Sequence, residues 1–312
     1  MTQPRAQHRH FLAGLGLAVV GAVFFSAKAI LAKLLYREGL DAVSVLALRM
    51  LLSVPFFVVV ALWTWRRGPP LLRGDLLRCL GLGLIGYYAS SMLDFMGLQY
   101  ITAGLERLIL FLTPSFVLLL NRVVLKRAVS GQQWLSLGVA YAGIVLVFQH
   151  DVAVGGEGVA LGAALVLASA FTYAVYLLLS GELLKRVGTL RLVALAMTAS
   201  SVAALLQYGL LRPFATLFAQ TPVVWQLSAL NATLCTVLPV FITMLAVARI
   251  GAGPAAQTGM VGPVSTLFLG SWLLDEPVTS LQLAGTALVI GGIVLLTLQR
   301  PPPPLPRAAA TE

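Results

Sequence analysis

Ile101-Thr-Ala-Gly-Leu-Glu-Arg-Leu-Ile-Leu-Phe-Leu-Thr-Pro114 is an apolar helical stretch, continuing to Val124, that holds the charged pair Glu106-Arg107 and a proline. In lipid both features are costly, because a charge must be desolvated and a proline frees a backbone carbonyl. The same stretch recurs. A gapless shift of about 149 residues lays Ile101 on Ile250, Gly104 on Gly253, Pro114 on Pro263, Val129 on Val278 and Gln133 on Gln282. The block Gly143-Ile-Val-Leu146 falls on Gly292-Ile-Val-Leu295. Leucine matches arise by chance in greasy sequence. Proline, glutamine and a Gly-Ile-Val-Leu block in one register are much rarer.

Composition sets the class. The chain has 312 residues, 59% hydrophobic and 10% charged, with a mean hydropathy of +0.93. Soluble domains carry roughly 25% charged residues, so this is an integral membrane protein with the lipid bilayer as its first partner. The net charge of +10 comes without a basic groove or interleaved aromatics, so no nucleic-acid partner is expected. Cys79 and Cys235 lie in apolar runs and offer no disulfide framework. His8 and His10 read as a solvated tail rather than metal ligands. No metal-binding, nucleophile-elbow or phosphate-loop motif occurs, which leaves an enzyme without an anchor and predicts no cofactor and no metal.

Ten apolar spans of about 20 residues fit the chain, each long enough for a ~30 Å hydrocarbon core. They are expected at 11–35, 43–65, 76–98, 103–124, 132–148, 158–179, 192–211, 225–248, 257–274 and 281–298. The first could be a signal peptide, but its apolar run is too long and continuous. Residues 1–10 and the Pro-rich 299–312 read as cytoplasmic tails, and 11–148 and 158–298 as two repeats of five spans. An odd number of spans per repeat makes the second enter the membrane in the opposite sense. With the N-terminus in the cytoplasm, Arg66, Arg67, Arg73, Arg78, Arg122, Lys126, Arg127, Lys185, Arg186, Arg191 and Arg249 all fall inside, and only Arg37 and Arg212 outside. Lys126-Arg127 aligns with Asp275-Glu276, basic where it faces in and acidic where it faces out. The expected fold is therefore an all-α membrane protein with ten transmembrane helices in two inverted five-helix repeats and both termini cytoplasmic. Such repeats mark many secondary transporters.

The sequence resembles an EamA-type transporter of the drug/metabolite transporter superfamily over nearly its whole length. The resemblance rests on Tyr100–Gly104, the mid-span Pro114 and Pro263, Leu273–Thr279 (Leu-Leu-Asp-Glu-Pro-Val-Thr) and the closing Leu283–Leu296. It departs at Lys126-Arg127, where many members carry an acidic Gly-Glu. The resemblance implies a central cavity between the halves and the export of small metabolites across a bacterial cytoplasmic (inner) membrane. It brings no universal binding motif.

Site candidates come from charges inside the spans. At 1.5 Å per residue, Lys28 and Arg49 lie roughly 7 Å from the midplane and Asp94 and Glu106 roughly 10 Å, all on the outer side. Lys33 and Arg107 sit near enough the surface to snorkel. Asp94 and Glu106 can neutralise two of Lys28, Arg49 and Arg107. Two readings fit: a structural ion-pair network, or a patch whose spare cation meets a substrate anion while Glu106 or Asp94 carries a proton. Intramembrane charges mark pathways more often than structure, which favours the second. Lys28 and Glu106 are then expected to be replaceable without loss of fold, and Arg49 and Arg107 to form fixed bidentate pairs. Tyr87, Ser90, Ser91 and Asp94 share one helical face, as do Ser169, Thr172, Tyr173, Tyr176 and Ser180. The serines and threonines also suit plain helix packing. Tyr87, Tyr173 and Tyr176 suit a cavity that holds an amphipathic solute. Pro114 and Pro263 are expected to kink mid-membrane helices and act in gating.

The expected function is a secondary active transporter of an amino-acid-like or other anionic or zwitterionic solute, working as a monomer or weak oligomer, with protons as a possible coupling ion. A nucleotide-sugar or lipid-linked solute transporter and a non-transporting membrane sensor remain open.

Overall fold

A computed structural model describes residues 3–67, 70–124, 126, 129–155, 157–250, 258–259 and 261–297. Helices form almost all of it, and there is no strand among the described residues. In lipid the backbone must satisfy its own donors and acceptors, and helices do so within one segment. Eight helical stretches are long and apolar enough to cross a membrane, and two shorter apolar helices follow, Val261–Leu274 and Ser280–Leu295.

Helices α1 (Gln3–Arg37) and α2 (Ala42–Arg67) are continuous. The third stretch joins α3 (Arg73–Gly83) to α4 (Ser90–Leu98) through a π-helical segment, Leu84–Ala89. The fourth is divided into α5 (Ala103–Leu110) and α6 (Thr113–Val124). Then come α7 (Gly131–Gly155), α8 (Val159–Val187) and α9 (Thr189–Leu211). After the short α10 (Phe214–Phe218), α11 (Pro222–Ala232) joins α12 (Leu238–Ile250) through a second π-helical segment, Thr233–Val237. α13 (Val261–Leu274) and α14 (Ser280–Thr297) end the description. The segment expected as an N-terminal tail continues α1 as helix from Gln3. Arg127, the Gly251–Pro254 joint and the tail 299–312 lie outside the described residues.

Side-chain contacts sort the helix ends into two layers. At one, the Tyr36 hydroxyl donates to the Phe95 carbonyl at 2.7 Å, Arg212 pairs with Asp41 at 2.8 Å and the Thr102 hydroxyl donates to Asp151 at 2.7 Å. At the other, Arg186 pairs with Asp75 at 2.6 Å and Arg191 lies 5.5 Å from the Trp65 ring centroid. The first end carries Glu38, Asp41, Asp151, Asp275 and Glu276, and is called acidic here. The second carries Arg66, Arg67, Arg73, Arg78, Lys185, Arg186 and Arg191, and is called basic. α1 finishes at the acidic end, whereas α8 starts there: a Cβ on Gly158, just before α8, would lie 2.7 Å from the Tyr100 ring.

The halves interlock. α1 packs on α12 and α13, while α8 packs on α4 and α6; α2 packs on α9 and α7 on α14. The irregular backbone repeats as well. The two π-helical segments begin at Leu84 and Thr233, and the side-chain-bearing residues with positive φ are Lys126 (52°) and Asp275 (57°) among the described residues. Both pairs obey the shift of about 149 residues found in the sequence.

Small residues let α7 and α14 touch through their backbones. A Cβ on Gly285 would come 2.6 Å from the Gly143 carbonyl oxygen, whereas one on Gly291 would meet nothing within 4 Å. Gly285→Val should therefore cost about 1–3 kcal/mol through overpacking. Gly291→Ala should be neutral or stabilise by up to about 1 kcal/mol. Thermal melting of the two variants in detergent, side by side, checks this. Equal melting temperatures would remove the close α7–α14 contact.

Candidate solute-binding site

The site is assembled from the start of α5. Thr102 caps this helix, its Oγ1 accepting from the Leu105 amide at 3.1 Å. That fixes the first turn and presents Glu106 and Arg107, successive residues about 100° apart around the helix, to two places on α1. Glu106 Oε1 lies 3.3 Å from Lys28 Nζ, and Asp94 Oδ2 lies 2.5 Å from the same nitrogen. Arg107 reaches Phe25, three residues before Lys28, with its guanidinium 5.1 Å from the ring centroid. Arg49 donates from Nε to Thr236 Oγ1 at 2.7 Å and lies 5.4 Å from the Phe95 ring centroid. All five charged residues are buried.

This pairing differs from the one expected. A single ammonium serves both carboxylates, and neither arginine has a carboxylate within 4 Å among the described residues. The bidentate arginine pairs are thus absent there, and Arg49 Nη1 and Arg107 Nε have no hydrogen-bond partner. Nor does Arg107 snorkel to the surface. It turns inward, filling the space left by the missing side chain of Gly262, whose Cβ would come 2.6 Å from Arg107 Nη2. Lys33, the other residue expected to snorkel, pairs with Glu276 at 3.1 Å.

Lys28, Arg49, Asp94 and Arg107 line a cavity of about 230 Å³ together with Tyr87, Ser90, Ser91, Tyr173 and Thr236; Phe25, Phe111, Met197 and Val240 supply apolar wall. Glu106 sits behind Lys28 and does not line it. An adjoining cavity of about 650 Å³ shares Phe25, Tyr87, Arg107 and Val240 and leads past Gly21 to Thr189 and Leu190 at the basic end. Toward the acidic end the fully buried Ile30, Leu35, Phe95 and Leu98 fill the section.

Both π-helical segments face the cavity, through Tyr87 and Thr236. A π turn widens the helix by one residue and aims side chains that a regular helix would not. Thr236 uses this geometry: while accepting from Arg49, it donates to the Asn231 carbonyl, five residues back, at 3.0 Å. Sequence reasoning missed Thr236 and Phe25 as site residues. Their signals were the repeat equivalence of Thr236 with Tyr87 and the three-residue spacing of Phe25 from Lys28. Tyr87 packs edge-on to Tyr173 and Tyr176, with centroids 6.2 and 5.0 Å away. Tyr176 is buried behind the other two against Gly86, so it backs the cavity wall and does not line it. Among the described residues no three His, Cys, Asp or Glu side chains gather as metal ligands.

At Pro114 the helix breaks where a kink was expected. Pro114 is the second residue of α6, after the chain leaves the helix at Phe111-Leu112. Its missing N–H is one that a first turn would leave unpaired in any case. The Leu110 carbonyl, which a regular helix would satisfy from position 114, instead accepts from Thr113 Oγ1 at 2.7 Å. Pro263 is the third residue of α13, and the Gly259 carbonyl accepts from the Gly262 amide at 2.9 Å. Gly262 binds the site in turn, its carbonyl accepting from Ser26 Oγ at 3.1 Å.

The EamA-like transporter family matches the chain over residues 12–149 and again over 160–298. The uncharacterized transporter YcbK of Bacillus subtilis (strain 168) is 32% identical over 296 residues, covering 91% of this chain and 92% of that protein. The uncharacterized transporter sll1319 of Synechocystis sp. is 24% identical, covering 94% and 95%. A crystal structure superposes with a TM-score of 0.62 at 16% identity, over 91% of this chain and 96% of that one, and shows a shared fold.

Removing the shared ammonium would leave two buried carboxylates without an ion-pair partner within 4 Å among the described residues. Lys28→Met should therefore lose about 3–5 kcal/mol, against the expectation that Lys28 could be replaced without loss of fold. Adding Asp94→Asn should recover part of the loss. Thr236→Val, which removes one hydrogen bond to a charged group, should cost about 1.5–3 kcal/mol. Thermal melting in detergent checks the order; a Lys28→Met protein that melts like the parent would refute the shared-ammonium arrangement.

Proposed function

The chain belongs to the EamA-like transporter family, and from that premise we propose that it is a secondary active transporter exporting a small organic metabolite with a carboxylate or other anionic group, alone or beside an ammonium. The observation that carries this reading is the surplus of cations around one cavity: Lys28, Arg49 and Arg107 against Asp94 and Glu106. Arg49 and Arg107 spend little of their bonding capacity on the protein, so they receive the solute anion. A zwitterion's ammonium competes with Lys28 for its carboxylates. A proton taken up by Glu106 would leave Lys28 paired with Asp94 alone and offers a coupling step. The charged section, about 230 Å³, takes a compact anionic group, and the adjoining section of about 650 Å³ has room for an apolar body.

The proposed topology puts the basic end in the cytoplasm, following the positive-inside rule, and the acidic end outside a bacterial inner membrane, with both termini cytoplasmic. Ten spans then form two inverted five-helix repeats that rock against each other. The opposite course of α1 and α8 and the repeated π-helical segments support this. The cavity leads to the basic end, as loading from the cytoplasm requires.

Liposomes with purified protein should show saturable, ATP-independent flux of 4-methylpentanoate and leucine, but not of 3-methylbutylamine, which has the same apolar body and only a cation. Flux of the amine alone, or binding without flux, would overturn the reading. Glu106→Gln should melt within a few degrees of the parent and lose either flux or its pH dependence; a large drop in melting temperature with unchanged flux per folded molecule would remove Glu106 from coupling.

In a protein freed of Cys79 and Cys235, Asp275→Cys should react with an impermeant maleimide applied to intact cells. Lys185→Cys should react only after permeabilisation. The reverse pattern would invert the topology and with it the direction of export.

A further inference from the structure

At the acidic end a carboxylate from the second half of the chain closes over the first half. Asp275 has a φ of 57°, in the left-handed region that residues with side chains seldom adopt. This reversal turns the chain back on itself, so that the Glu276 amide donates to the Gly270 carbonyl at 3.2 Å. The Glu276 carboxylate then accepts from the backbone N–H of Ala103, the first residue of α5, at 3.0 and 3.1 Å through its two oxygens. It also pairs with Lys33 on α1 at 3.1 Å. A carboxylate on the first amide of a helix satisfies an otherwise orphaned donor and meets the positive end of the helix dipole. Beside it, Arg37 of α1 donates to the carbonyl of Leu274, the last residue of α13. The second half thus holds α1 and α5 together at this end.

The same two helices carry the binding site. α1 bears Lys28 as well as Lys33, and α5 bears Glu106 as well as Ala103. A helix moves as a stiff rod over these distances, about 7.5 Å along α1 and 4.5 Å along α5. Separating Lys28 from Glu106 therefore also separates Lys33 from Ala103, the two groups that Glu276 bridges.

We propose that Glu276 is the latch of an outer gate: its carboxylate holds the acidic end shut, and solute leaves there only once it releases Ala103 and Lys33. This rests on the transporter reading above. The latch belongs to one end, because the repeat-equivalent joint carries Lys126-Arg127, and a basic side chain cannot accept from a backbone N–H. The side chains of Lys33 and Glu276 are 23% and 15% exposed, so water reaches the latch and can replace its bonds during opening.

Labelling tests this without requiring flux, so a failed latch and a failed transporter are distinguishable. The protein carries Ser91→Cys in the cavity and lacks Cys79 and Cys235. An impermeant thiol reagent is applied separately to the two faces of oriented proteoliposomes. The parent should label from the basic face and scarcely from the acidic face. Glu276→Gln should raise acidic-face labelling relative to basic-face labelling by roughly five- to thirty-fold, and Lys33→Met, which loses one water-accessible ion pair, by up to about five-fold. Should Glu276→Gln fold poorly, Lys33→Met, which leaves the cap on Ala103 in place, carries the test. Parent protein that labels readily from the acidic face would overturn the proposal. So would folded variants whose labelling ratio matches the parent's, which would leave Glu276 a helix cap and nothing more.

Discussion

One ammonium held between two carboxylates governs the middle of this molecule. An ion removed from water loses hydration worth several kcal/mol after relaxation, and only a close counter-charge offsets that loss. Lys28 supplies the counter-charge for both Asp94 and Glu106, which draws α1, α4 and α5 to one point. The arginines are left with softer partners: Arg49 with a threonine hydroxyl and the face of Phe95, Arg107 with the face of Phe25. Cation–π contacts of this kind are worth about 0.5–2 kcal/mol. They hold the guanidinium groups in place while leaving Arg49 Nη1 and Arg107 Nε without a protein acceptor among the described residues.

The frame repeats and the chemistry does not. π-helical segments, left-handed joints and small-residue contacts recur between the halves, because they are backbone solutions to packing helices in lipid. The charges belong to the first half alone: in the second, Ala255 and Ala256 stand where Glu106 and Arg107 do in the first, and Thr236 where Tyr87 does. The second half contributes Tyr173, Met197, Thr236 and Val240 to the cavity wall and Glu276 to the acidic end. An asymmetric set of charges in a repeated frame gives the two ends of the bundle different chemistry.

Much of this was readable from the residues. Hydropathy gave the membrane class and the helices, since burial of apolar side chains in lipid leaves a composition no soluble domain has. Helical periodicity put Tyr87, Ser90, Ser91 and Asp94 on one face, and the structure sets that face against one cavity. Depth along each span brought Lys28, Asp94 and Glu106 to a common level. The errors share a cause. Arg107 was read as snorkelling because a single helix shows how far a residue lies from its end, not that Glu276 and Asp151 cover that end from elsewhere in the chain. Tyr176 was read as lining the cavity because its face is correct, although two other tyrosines stand in front of it. Pro114 was read as a kink, since its hydropathy pattern runs on unbroken across a helix that stops and restarts.

The sequence by itself determined the membrane class, the repeat and the helix face on which each charge stands, because these follow from period and side-chain solvation within one segment. Only the tertiary structure decided which charge meets which. Pairing depends on how far each helix is rotated and tilted against its neighbours, and a rotation of one residue, about 100°, exchanges the place of Glu106 for that of Arg107. That rotation is set by side-chain packing between helices distant in sequence: the contact of Arg107 with Gly262, of Lys28 with Asp94, and of Glu276 with the first turn of α5.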